Sequence, residues 1–179
     1  GKPLQVTVYS SCEQVELFLN GKSLGKKKTD RSTEFMAKWT VPYKAGELKA
    51  VGYKGEKAIK YSILRTAESP SVIKLTADKK QLAADGEDLS YITVELTDAK
   101  GVLNPKTEKL IKFKITGAGT IVGVGNANPM STESYKLPQR KAWRGKCLVI
   151  VKSKKDAGKI KLQAFAEGIN PADITLVSK

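Results

Sequence analysis

A chain of 179 residues is too short for a (β/α)₈ barrel, which needs about 250, while its 40% hydrophobic content suffices for a packed core. It contains no histidine, which excludes Ser–His and Cys–His hydrolases and removes the commonest metal ligand. The net charge of +14 divides evenly, +7 on each side of Thr66, and 28 of the 32 cations are lysine. That is the pattern of a solvated surface, whereas phosphates and base edges are read by clustered arginines.

The first third of the chain alternates with period two, the signature of half-buried strands. Val6 and Val8 open the pattern. Val15, Leu17 and Leu19 follow, and Asn20-Gly21 supplies the positive φ angles of a tight hairpin onto Lys22 to Lys28. Phe35, Ala37, Trp39 and Val41 form the next alternating run, closed by Pro42. Leu48 to Tyr53 and Ile59 to Leu64 complete six strands, joined across Lys54-Gly55-Glu56. Trp39 belongs to the core, as a buried Trp commonly does in a sandwich. Ala67-Glu68-Ser69-Pro70 then breaks the pattern.

Beyond the break seven further strands are expected, at Val72 to Thr76, Leu89 to Thr97, Leu110 to Ile115, Thr120 to Val124, Lys146 to Val151, Ile160 to Ala166 and Ile174 to Val177. Asp98-Ala99-Lys100-Gly101 is a turn between two of them. No segment sustains a 3.6-residue period, and no apolar run approaches the roughly 18 residues of a membrane helix. The fold class is therefore all-β, two tandem immunoglobulin-like β-sandwiches with essentially no helix, one over 1–66 and the other over 67–179. Gly1 reads as a cloning remnant, and the natural sequence is expected to extend further upstream.

Few chemical groups are left to consider. Cys12 and Cys147 fall in different modules and are not expected to pair, and no CxxC spacing is present. Gly117-Ala118-Gly119 and Gly123-Val124-Gly125 precede no helix and read as bulges or turns. Glu95, Asp98 and Glu133 are the carboxylates that could be imagined in a glycosidase pair, but their spacing favours no pair, so no catalytic residue is expected. Asp85, Glu87 and Asp88 lack the register of a calcium loop and suit a turn; no metal and no cofactor are expected. The stretch from Gly125 to Gly145 is long and weakly apolar, as functional loops often are. Within it Trp143, with Tyr135, Asn126 and Asn128, is the constellation that could bind a carbohydrate.

Several motifs also occur together in a recognisable order. Val15-Glu16-Leu17-Phe18-Leu19-Asn20-Gly21-Lys22-Ser23-Leu24-Gly25, Trp39-Thr40-Val41-Pro42-Tyr43 and Gly46-Glu47-Leu48-Lys49-Ala50-Val51-Gly52-Tyr53 resemble an Ig-like module of glycoside hydrolase family 2. Ala84-Asp85-Gly86-Glu87-Asp88-Leu89-Ser90, Gly123-Val124-Gly125-Asn126-Ala127-Asn128-Pro129 and the run from Arg140 to Val151 resemble the C-terminal module that often follows it. Ala127 stands where glycine is frequent in the relatives.

The resemblance implies a parent enzyme that is a retaining, β-galactosidase-like exo-glycosidase, exported to the periplasm or cell surface. Its two glutamates lie on a barrel that has no counterpart here. It also implies that the chain's partner is the catalytic domain of its own parent, with glycans as a possible second partner. Nucleic acid and membrane insertion are not expected, and the oligomeric state stays open. Two other roles stand beside this one. The first is a carbohydrate-binding module. The second is a polyanion-binding or adhesin-like surface using lysine runs such as Lys26-Lys27-Lys28 and Lys152 to Lys155.

Overall fold

The computed structural model describes residues 2–179, so Gly1 lies outside the described residues. The chain forms two compact units, one through Thr66 and one from Ala67 to Lys179. Both are built from strands. Among the described residues the only helical element is a 3₁₀ turn at Arg31–Thr33, and no helix is long and apolar enough to cross a membrane.

Unit 1 contains β1 (Pro3–Tyr9), β2 (Gln14–Leu19), β3 (Lys22–Lys28), β4 (Met36–Pro42), β5 (Glu47–Lys54) and β6 (Lys57–Arg65). β1 and β4 pair as one sheet, and the other four are ordered β3-β2-β5-β6. Val15 and Leu17 from β2 meet Ala37, Trp39 and Val41 from β4 in the core. The period-two spacing of these residues is what sends them all to one face of each sheet. The Asn20-Gly21 hairpin adopts φ of 50° and 79°. Asn20 also fastens a second loop, its Oδ1 accepting from the Glu47 amide at 2.7 Å.

Phe35 departs from its expected place in the inward-facing run. The strand begins one residue later, and Phe35 is about half exposed. The cause is local. Asp30 caps the 3₁₀ turn by accepting from the Ser32 and Thr33 amides, and Glu34 and Phe35 then both take left-handed φ of 53° and 57°. The chain is still turning when it reaches Phe35, so this side chain never joins the alternation.

Unit 2 contains β7 (Val72–Ala77), β8 (Gln81–Leu82), β9 (Leu89–Thr97), β10 (Leu110–Gly117), β11 (Gly119–Gly125), β12 (Gln139–Lys141), β13 (Lys146–Ser153), β14 (Gly158–Ala166) and β15 (Ile169–Ser178). The order β11-β13-β9-β7 continues into β15-β14-β10-β12, with β8 alongside β15. β7 is the hinge of this path: it pairs antiparallel with β9 and parallel with β15 at Asn170↔Val72. Ile92, Val94 and Leu96 of β9 face Ile111, Ile160, Leu162 and Leu176 across a core in which each of these residues is fully buried.

Nine strands replace the seven expected. β8 and β12 have two and three residues, too few to show an alternation. β15 starts at Ile169, ahead of the expected Ile174, and so runs through Pro171. A register shift between Ala164 and Ala166 of β14 lies opposite this proline, and a bulge is where a strand tolerates a residue with no N–H to give.

Candidate functional site

β13 carries the run Leu148-Val149-Ile150-Val151. Cys147, Val149 and Val151 are buried, so alternation turns Leu148 and Ile150 to the solvent face. That face of an antiparallel sheet is ordinarily polar. Here Val122 of β11, at the bulge between Ile121 and Gly123, and Thr93 of β9 extend it. Leu103, Pro105, Tyr135 and Trp143 rise around it to make an open groove of about 1210 Å³. Gly123 and Gly125 keep the β11 side low; a Cβ on Gly125 would sit 3.3 Å from the Tyr135 ring.

Trp143 is placed by a two-residue hairpin. Its amide donates to the Lys146 carbonyl at 2.8 Å, and the Lys146 amide donates back at 3.0 Å. Arg144 and Gly145 between them have φ of 49° and 77°, the type I′ geometry that suits a twisted hairpin. The Arg144 guanidinium lies 5.7 Å from the centre of the Trp143 ring.

The loop carrying Tyr135 is held by Arg140, a fully buried side chain. Its Nη1 donates to the Glu133 carbonyl at 2.7 Å and its Nη2 to Asn126 Oδ1 at 3.4 Å. The Glu133 carboxylate stands 3.7 Å from its Nε, and the Tyr135 ring centre is 4.6 Å from Cζ. Sequence reasoning missed this role. The signal available was that arginine, the planar cation suited to buried pairs, appears only four times in a lysine-rich chain.

Of the four residues singled out for carbohydrate, Trp143, Tyr135 and Asn126 line the groove and Asn128 does not. Tyr135 is exposed and Trp143 half-buried. The asparagine side chains serve the loop itself. Asn126 Nδ2 donates to the Lys141 carbonyl at 2.7 Å and its Oδ1 accepts from the Asn128 amide at 3.0 Å; Asn128 Oδ1 accepts from the Met130 amide. The remaining stretch from Gly125 to Gly145 is also more ordered than a free loop, since β12 within it pairs with β10.

The other chemical groups are engaged locally. Burial behind the groove floor pushes the Cys147 thiol up to about 12, so it is no thiolate at neutral pH. Glu95 sits between Lys146 at 2.8 Å and Lys74 at 3.3 Å; the Lys146 hydrogen bond, then that of Lys74, holds its carboxyl below the usual range against its partial burial. Asp98 is buried and accepts from the amides of Glu68, Val102 and Lys100, which lower its carboxyl too. A glycosidase acid needs its carboxyl raised, so neither is suited to that role. Asp85 Oδ1 accepts from the Glu87 and Asp88 amides, and Asp88 pairs with Lys79. Among the described residues no cluster of His, Cys, Asp or Glu could hold a metal ion.

These shifts predict a pH dependence. Glu95 and Asp98 titrate lower folded than unfolded, so their stabilisation is present above the unfolded carboxylate values, about 4, and is lost as pH falls through the folded ones. Asp98→Asn is expected to weaken unit 2 at neutral pH and to flatten the acid limb of stability against pH. Urea titrations from neutral pH into the acid range test this. An unchanged acid slope in the variant would contradict it.

Comparison with known families decides where this architecture belongs. A family model described as glycoside hydrolase family 2 C-terminal domain 5 matches residues 73–175. The chain belongs to glycoside hydrolase family 2. A further model, a domain of unknown function (DUF4982), matches residues 1–60 of this family 2 chain. The chain is 42% identical over 164 residues to β-galactosidase BoGH2A of Bacteroides ovatus, covering 92% of this chain and 19% of the relative. It is 36% identical over 135 residues to a putative β-glucuronidase of Formosa agariphila, covering 75% of this chain and 13% of that protein. A solved family 2 member from Bacteroides cellulosilyticus superposes on the whole chain with a TM-score of 0.96 and 47% identity, over 23% of its own length. A β-glycosidase from Bacteroides vulgatus gives 0.94 and 29% over 99% of this chain and 23% of its own. The family 2 chain thus spans about a fifth of the length of such relatives.

Proposed function

We propose that this chain is a non-catalytic accessory region of a β-galactosidase-type glycosidase, a retaining enzyme acting on O-glycosidic bonds, and that its two units support the catalytic barrel or its assembly. The observation that carries this reading is the superposition of the entire chain on 23% of a family 2 member. The chemistry within the chain agrees with it, because Glu95, Asp98 and Glu133 are committed to lysines, backbone amides and Arg140. Export of the parent to the periplasm or cell surface is part of the same proposal. The glycan-binding alternative keeps an aromatic pair, Trp143 and Tyr135, but Asn126 already uses both ends of its amide on the loop and Asn128 does not line the groove.

Deleting residues 1–179 from the full-length parent tests the role. The expected result is a lower melting temperature, together with a changed oligomeric state or a reduced kcat/KM. Full retention of stability, assembly and kinetics would sink it.

A further inference from the structure

The groove on unit 2 has the make-up of a protein-binding hot spot. Its floor is aliphatic, from Leu148, Ile150 and Val122, and its rim offers Trp143, Tyr135 and Arg144. Trp, Tyr and Arg are the side chains that dominate binding energy at protein interfaces. The rim is also set in advance. Arg140 anchors the Tyr135 loop from beneath and the type I′ hairpin fixes Trp143, so little ordering cost remains to be met on binding. A hydroxyl-rich ligand would instead need several well-placed polar partners, and the Asn126 side chain is already spent on the loop.

Charge narrows the occupant further. Lys146 is matched by Glu95 at 2.8 Å and Lys141 by Glu108 at 3.4 Å. Arg144 pairs with no carboxylate among the described residues. It also holds a left-handed φ of 49°, where glycine or asparagine is usual, so what arginine adds there is its cation. Two copies of a chain with net charge +14 would bring like charges together across this rim.

We propose that the groove seats a polypeptide segment of the parent enzyme from outside these residues, one apolar side chain resting on the Leu148–Ile150 floor and a neighbouring carboxylate meeting Arg144. This rests on the accessory reading above. It draws the occupant from the four-fifths of such enzymes that the chain does not span.

Hydroxyl-radical footprinting of Tyr135 and Trp143, in this chain alone and in the full-length parent, tests it. Both rings should label readily in the chain alone and severalfold more slowly in the parent. In the parent, Arg144→Glu should restore labelling. Arg144→Gly should do the same in part, while the isolated variant melts at the same or a higher temperature because the left-handed position is relieved. Equal labelling in both forms would overturn the proposal. So would protection of the chain alone that grows with its concentration, which indicates a second copy. Saturable quenching of its tryptophan fluorescence by a panel of neutral and uronate-bearing oligosaccharides, abolished by Trp143→Ala, would overturn it in favour of a glycan. A parent that loses stability on deletion of residues 1–179 yet labels fully at Tyr135 would keep the accessory role and discard this groove as its docking face.

Discussion

Arg140→Ala is expected to destabilise unit 2 by about 3 kcal/mol, the lower end of what breaking a buried ion pair costs. The lower end applies because its partner is only half-enclosed. The Glu133 side chain retains 35% exposure, so water can take up part of the orphaned charge. What water cannot replace is the volume beneath Tyr135 and the link to the Glu133 carbonyl at 2.7 Å. The loss should also be directional, loosening residues 126–138 more than the sheets. Arg140→Lys keeps the charge but not the planar fork and should fall between wild type and alanine. Urea unfolding would report the midpoint, and hydrogen exchange would report the Val124 amide, which donates to the Tyr135 carbonyl. A variant that unfolds at the wild-type midpoint, with that amide still protected, would contradict this account of the loop.

Gly145→Ala should cost about as much, roughly 3 kcal/mol, by adding a steric overlap to a left-handed penalty of about 1–2 kcal/mol. A Cβ there would lie 2.4 Å from the Asn104 carbonyl oxygen and 3.0 Å from Leu103 Cδ1. Neither segment can easily retreat. The Gly145 amide donates to the Thr107 carbonyl, the Gly145 carbonyl accepts from Leu96, and the Asn104 amide donates to the Leu96 carbonyl. Gly21→Ala is the internal control, since Gly21 has a φ of 79° but nothing within 4 Å of a Cβ; it should lose only about 1 kcal/mol. Denaturation midpoints of the two variants, with near-ultraviolet dichroism as a report on Trp143, would separate overlap from conformation. Equal losses at the two glycines would show that the contact with Asn104 is unimportant.

The strands and the boundary near Thr66 are legible in the sequence because alternation, turn dipeptides and a proline break are all local signals. Phe35 shows the limit of that reading. Its spacing continues the inward series of β4, and only the cap formed by Asp30 reveals that the chain has not yet straightened. Short partners such as β12 leave no period to detect. The groove was harder still. Leu148-Val149-Ile150-Val151 is apolar at every position, and a continuous run does not say which two side chains face the core. Tyr135 and Trp143 could be noticed as aromatics in a long loop, whereas nothing adjacent to Arg140 marks it as the residue that positions one of them. A buried cation is defined by how the loop folds over it, here through contacts to Asn126 and Glu133, and no hydrophobic period encodes that.

The parallel pairing of β15 with β7 and β8 bears on how unit 2 answers mechanical force. β7 begins the unit and β15 ends it, and they run in the same direction, with Val72 opposite Asn170 and Gln81 opposite Val177. Tension applied between Ala67 and Lys179 therefore slides the first strands along the last. The bonds from Val177 to Lys80 and from Lys179 to Leu82, with that from Ala84 to Lys179, carry the load together and must yield together; they cannot open one by one like a zip. The first and last strands of unit 2 thus meet in shear geometry, so that a pull along the chain loads these bonds at once.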